Sequence, residues 1–325
     1  MQLHITHETC YDYAPDVSIA QHMAYLKPLN TDTQQVLSHT LSITPEPSQQ
    51  NATLDVYGNT RSFFSLQVTH NQLHVIARSL VATQVPPVWD NLVEWEQVRE
   101  RFRYCATNRF DTAADFVFAS PYVPRHADFA DYARPSFSSQ PTLLRAARDL
   151  MQRIHREFTY ESHSTEINTP AHEALEQRTG VCQDFAHIMI ACLRAYGIPA
   201  RYVSGYLLTH PAPGQPRLVG SEASHAWVSV YLPDEQAGAV GGRWCDFDPT
   251  NNRSGWGSPG EDYVTLALGR DYADVSPLRG VIHGGHNHHL EVGVTVEPVE
   301  AGGWTGQNQM QSQGLNQSQS HSQTL

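Results

Sequence analysis

The chain has 325 residues, 40% of them hydrophobic and 17% charged, and its 21 basic and 33 acidic side chains give a net charge of −12. That is enough for one large domain or two ordinary ones, and the acidic balance argues against nucleic acid and anionic membrane as main partners. Cys10, Cys105, Cys182, Cys192 and Cys245 are odd in number and widely scattered, with no C-x-x-C pair, which suggests neither a disulfide framework nor a zinc ribbon.

The opening "MQLHITHETCYDY" has no basic segment leading into an apolar run, and no stretch has the length of a membrane span. The expectation is a cytoplasmic protein with reduced thiols. Residues 1–87 read as an antiparallel β domain. In "LSHTLSIT" Leu37, Leu41 and Ile43 alternate with polar residues, the pattern of a half-buried strand. In "LDVYGNTRSFFSLQV" Gly58-Asn59 separates two apolar runs, as in a hairpin. "LHVIARSLVATQV" is a further extended segment, closed by Pro86-Pro87.

Residues 88–140 form a connecting region with a short helix expected around 90–103. From Pro141 the period becomes helical: Leu143, Leu144, Ala147, Leu150, Met151 and Ile154 share one face. "TPAHEALEQRTG" offers Thr169 as N-cap, Pro170 as first helical residue and Gly180 past the end. The helix that begins at Cys182 stops at Gly197-Ile198-Pro199. Strands are expected at 200–208, 224–232 and 243–249, with a last one at 290–299. Helices followed by a run of strands give an α+β domain over 141–300. Residues 301–325 contain seven glutamines and no Asp, Glu, Lys or Arg, a composition expected to be disordered.

A cysteine at the first turn of a helix differs from one in its middle, because free N–H groups there favour a thiolate. A thiol nucleophile also needs a base, and the base needs a partner that orients it. In "SHAWVSVYL" His225, Trp227, Ser229 and Tyr231 share one face, and in "RWCDFDPT" Trp244, Asp246 and Asp248 share another. Paired antiparallel with His225 opposite Asp248, the two strands also set Ala226 by Phe247 and Val228 by Cys245, apolar against apolar. Cys182, His225 and Asp248 are the candidate nucleophile, acid–base and orienting carboxylate. Backbone N–H groups at the helix start can stabilise an oxyanion by roughly 3 kcal/mol per well-placed donor.

"GVCQDFAHIMIACLRAYGIPARYVSGY", "SHAWVSVYLP" and "WCDFDPTNN" resemble the three core motifs of the bacterial transglutaminase-like family. The resemblance extends to the N-terminal β region and, through "GRDYADVSPLRGV" and "LEVGVTV", to about residue 300. It implies a papain-like α+β core with a Cys-His-Asp triad, in which the G-x-C cysteine falls on Cys182, the H-A-W histidine on His225 and the D-P-T aspartate on Asp248. It also implies a protein or peptide substrate and no cofactor. The departures are "VIHGGHNHHL", where the family has a glycine-rich turn, and the glutamine-rich tail.

Asp246 is the competitor to Asp248, the latter favoured by register and motif. Asp184 reads as stabilising the first turn of its helix, and His187, some 140° round the helix from Cys182 at ~100° per residue, as structural. Trp227 and Trp244 either line a substrate cleft or shield the site from water. His283, His286, His288 and His289 lack the ligand spacing of a zinc site and read as a solvated loop. The expected activity is acyl transfer or hydrolysis at amide bonds through a thioester. The alternative is a non-catalytic peptide-binding or assembly module that keeps the fold. Sequence does not give the oligomeric state.

Overall fold

The computed structural model of the chain describes residues 1–105, 110–161, 169–209, 223–234, 241–285 and 287–299. It is α+β, with an N-terminal antiparallel sheet followed by helices packed on a second antiparallel sheet. The first sheet contains β1 (Gln2–Lys27), β2 (Gln34–Thr44), β3 (Gln49–Leu54), β4 (Thr60–Leu66) and β5 (His70–Thr83). β5 buries Leu73, Val75, Ala77, Ser79, Val81 and Thr83 and turns the residues between them outward, as a period of two dictates. The β3–β4 hairpin closes at the expected Gly58-Asn59, with Gly58 at φ 85°, a conformation that glycine adopts without strain. In β2 the register slips between Val36 and Ser38. Leu37, expected to face inward, is therefore 42% exposed.

β1 is the axis of this sheet. On one side it pairs with β5 along its first half and β4 along its second. On the other side it pairs with two strands from the far end of the chain, β14 (Asn287–Pro298) and then β13 (Leu278–Gly284). One cluster gathers Leu73 and Val75 of β5, Phe64 and Leu66 of β4, and Val17 and Ala20 of β1, so the two halves share a core.

The helices come next: α1 (Trp95–Phe102), a 3₁₀ turn (Thr112–Val117), α2 (Ala127–Ser139), α3 (Leu143–Glu157), β6 (Thr159–Tyr160), α4 (Ala171–Gln177), β7 (Thr179–Gly180) and α5 (Cys182–Ala195). α2 was not expected in the connecting region, because Pro135 sits inside it. Its buried residues Phe129, Tyr132, Ala133, Ser136 and Phe137 nevertheless follow helical spacing. All six residues expected on the inner face of α3 are buried. At α4, Pro170 rather than Thr169 holds the N-cap position, and Arg178 at φ 58° rather than Gly180 takes the left-handed turn. Gly180 pairs with Tyr160 instead. A Cβ on Gly180 would lie 2.8 Å from Asp184 Cβ, so the bare backbone lets the chain enter α5 closely.

The second sheet is built from β8 (Ala200–Leu207), β9 (Ser224–Pro233), β10 (Gly242–Asp248), β11 (Arg253–Trp256) and β12 (Tyr263–Gly269), in the order β11-β10-β9-β8-β12, all antiparallel. α5 and α3 cover one face through a core containing Leu150, Ile188, Leu193, Val228 and Phe247. Leu3, Ile5, Val81 and Val296 of the first sheet pack with Tyr206, Val264 and Leu266 of the second, and the Gln34 amide pairs with both the N–H and C=O of Thr265.

After α6 (Tyr272–Val275), β13 (Leu278–Gly284) and β14 (Asn287–Pro298) return to β1. The strand expected near 290–299 thus belongs to the first sheet. The histidine-rich segment, expected to be a solvated loop, is instead mostly strand: His283 pairs with Ile19, His288 with Tyr13 and His289 with Asp12. Strand pairing uses the backbone, so polar side chains on its open face do not oppose it. His286 lies outside the described residues, and among those described no three His, Cys, Asp or Glu side chains gather as a metal site. Among them, too, no helix is long and apolar enough to cross a membrane.

Candidate active site

α5 is apolar on every side. Phe185, Ala186, Ile188, Met189, Ile190, Cys192 and Leu193 are all buried, as expected of a helix enclosed by its own domain. Its first residue is Cys182, only partly buried. Asp184 reaches back to accept a 2.9 Å hydrogen bond from Val181 N–H, pinning the chain at the helix entrance. His187 accepts from Tyr272 N–H at 3.2 Å and stacks on Tyr122, away from the thiol.

β9 and β10 supply the other two residues, in a register two residues from the expected one. Val228 stands opposite Phe247, Ser229 opposite Asp246 and Trp244 opposite Tyr231. Faces are preserved because the shift is even. His225 is therefore a diagonal neighbour of Asp248, and its side chain spans the offset: Nε2 lies 2.7 Å from Asp248 Oδ2. The Cys182 thiol neighbours the same imidazole closely enough to raise its pKa. With Nε2 engaged by Asp248, Nδ1 is the nitrogen left for sulfur.

Asp248 has no exposed surface, and both its oxygens are filled. Oδ2 accepts from His225, from Tyr263 O–H at 2.7 Å and from Asn251 Nδ2 at 2.8 Å. Oδ1 accepts from the backbone N–H groups of Thr250 and Asn251 at 2.8 and 3.2 Å. Burial would raise its pKa, yet the His225 charge and these donors hold it below the usual carboxylate range. Burial likewise would lower the pKa of His225, but the charge and hydrogen bond of Asp248, joined by the neighbouring Cys182 thiol, hold it above the ordinary imidazole value. The two shifts describe one buried imidazolium–carboxylate pair.

Asp246 is also buried but turns to other partners. Its Oδ2 accepts from Trp227 Nε1–H at 2.9 Å, and burial raises its pKa. Trp227 is fully buried beneath the His225 ring, their centroids 6.1 Å apart. It has no surface to offer a substrate. Trp244 stacks under the Arg201 guanidinium, 3.9 Å away, and against Phe116 and Tyr231. Sequence reasoning missed Tyr263 and Asn251. Asn251 lies inside the D-P-T-N-N stretch and was within reach of a closer reading. Tyr263 belongs to β12, two strands away from β9, and nothing local to it carries a signal.

The arrangement sets a thiol at a helix start beside an imidazole, and a buried carboxylate on the far nitrogen of that imidazole. Residues 130–249 match the Transglutaminase-like superfamily, and residues 3–82 match the Bacterial transglutaminase-like N-terminal region. An uncharacterized protein of Mycobacterium tuberculosis is 39% identical over 304 residues, covering 91% of this chain and 92% of its own. A protein-glutamine gamma-glutamyltransferase of Pseudomonas aeruginosa is 35% identical over 132 residues, which is 39% of this chain and 18% of that protein. Among solved structures, a Cytophaga hutchinsonii protein provisionally assigned as a cysteine protease superposes with a TM-score of 0.65 at 22% identity, over 91% of this chain and 98% of that one. Matched over both its N-terminal sheet and its core, the chain belongs to the transglutaminase-like superfamily.

Proposed function

We propose that the protein is a cysteine enzyme acting on amide groups of protein or peptide substrates through a thioester on Cys182. The observation that carries this reading is the His225 ring held 2.7 Å from a buried Asp248, with the Cys182 thiol near enough to raise the pKa of the same ring. The sulfur proton rests on His225, completing the imidazolium, and the thiolate attacks the carbonyl carbon. The tetrahedral oxyanion collapses, the C–N bond breaks, and His225 returns the proton to the departing nitrogen as ammonia or an amine. An amine or water then attacks the thioester, giving up its proton to His225, and the thiolate is released. The amine gives crosslinking; water gives deamidation or proteolysis. The 132 residues shared with a glutamyltransferase support a glutamine carboxamide as acyl donor.

Alkylation by iodoacetamide across pH tests the reading without a substrate. Cys10, Cys192 and Cys245 are internal controls, since burial pushes the pKa of each upward. Cys182 should react about 10²-fold faster than Cys10 at pH 6, and His225→Ala should erase the difference. Equal rates at the two sites, or a fast rate that survives His225→Ala, would sink the proposal.

Tyr263→Phe should leave the fold intact and move the acid limb of the pH–rate profile upward by roughly one unit, because one donor that stabilises the charged Asp248 is gone. An unmoved limb would mean that the Tyr263 hydroxyl does not tune the carboxylate.

A further inference from the structure

The 14 residues of α5 span about 21 Å at 1.5 Å each, so a site at its C-terminal end lies far from Cys182. A cavity of about 750 Å³ opens there, walled by the end of α1, the start of α2 and the last turn of α5. Its apolar lining includes Phe102, Val123, Pro124 and Tyr196.

The charges around this cavity invert those of the molecule. In a chain of net charge −12, Arg99, Arg103, Arg125 and Arg194 line it, and Glu100 is its single carboxylate. The partners of these side chains divide them. Arg194 is consumed by the carbonyls of Phe118, Ala200 and Arg270 and by Ser120 Oγ, so it braces the wall. Arg103 pairs with Glu100 at 3.3 Å. Arg99 lies over the Trp95 ring, 5.0 Å from its centroid, and among the described residues neither Arg99 nor Arg125 makes an ion pair.

Helix electrostatics account for Arg99, which sits in the last turn of α1 where a cation is favoured. They do not account for Arg125. It stands two residues before the first residue of α2, where the helix dipole repels a cation. The positive end of α2 and two guanidinium groups that make no ion pair among the described residues thus converge on one groove with apolar lining.

We propose that this groove binds an acidic peptide segment, with carboxylates on Arg99 and Arg125 and apolar side chains against Val123, Pro124 and Tyr196. Guanidinium groups recognise carboxylates through paired N–H donors. An open groove with guanidinium groups along an apolar lining suits an extended chain better than an enclosed small molecule. The site does not depend on the chemistry proposed for Cys182, and its test is made independent of it.

The full chain carrying Cys182→Ala would be titrated by fluorescence anisotropy with a dye-labelled Glu-Leu-Glu-Phe-Glu peptide. The expected result is saturable binding that weakens at least tenfold when Gln replaces each Glu of the peptide, and at least tenfold in Arg99→Glu/Arg125→Glu. The double variant's melting temperature shows whether it remains folded, and Arg99→Gln/Arg125→Gln, a gentler change, should also weaken binding. Binding that ignores the arginine substitutions, absence of binding, or equal competition by inorganic phosphate would each overturn the proposal, the last by reducing the site to a simple anion site.

Discussion

Asp248→Asn is expected to lower kcat/KM on an amide substrate by about 10³- to 10⁴-fold and to destabilise the fold by roughly 3 kcal/mol. Both effects follow from donor counting. Asp248 is fully buried and receives five hydrogen bonds, three on Oδ2 and two on Oδ1. An asparagine offers one oxygen, so its amide nitrogen must face either the two backbone N–H groups or the His225, Tyr263 and Asn251 donors. In the second orientation His225 must accept at Nε2, which places its proton at Nδ1, the nitrogen that should take the thiol proton. Activity and stability then fall together. Chemical denaturation and steady-state kinetics on the same preparations check this, and a variant of unchanged stability would contradict the donor count.

The pH dependence of that stability loss has a definite sign. Asp248 is held below its ordinary pKa, so its contribution is present above about pH 4 and disappears as pH falls through the folded value. His225 is held above its ordinary pKa, so its contribution is full below about pH 6.5 and disappears as pH rises through the folded value. The stability gap between parent and Asp248→Asn should therefore be widest between about pH 4 and 6.5 and narrow at alkaline pH. A gap that grows with alkalinity would mean that the pair is not an imidazolium–carboxylate pair.

Arg194→Met is expected to cost about 3–5 kcal/mol while leaving the chemistry of Cys182 in whatever molecules still fold. Arg194 is only 8% exposed, and its guanidinium ties the end of α5 to three separated carbonyl groups and a hydroxyl. Methionine fills much of the volume but leaves those acceptors without donors. The shift in denaturation midpoint measures the cost, and a change below about 1 kcal/mol would show that water satisfies the acceptors instead.

The sequence by itself determined many of the local elements and singled out His225 and Asp248, which the fold joins. Apolar periodicity placed α3 and strands β2, β4, β5, β8, β9, β10 and β14, and Gly197-Ile198-Pro199 marked the end of α5, since such repeats and stops are properties of neighbouring residues. Cys182, His225 and Asp248 were legible because each sits in a short motif at a readable position: a helix start and two strands joined by a polar loop. Pro135 conceals α2, and Leu37 faces outward against the alternation, in which a register shift is not written. The tertiary structure alone decided what depends on distant chain meeting distant chain. It set the β9–β10 register two residues away, brought Tyr263 of β12 onto Asp248, and sent β14 back to β1. Trp227 was withdrawn from solvent, and Arg99 and Arg125 were gathered at one groove. Each of these is a contact between segments separated by loops, where either register of equal parity satisfies the same apolar pattern. Only the packing of the two sheets distinguishes them.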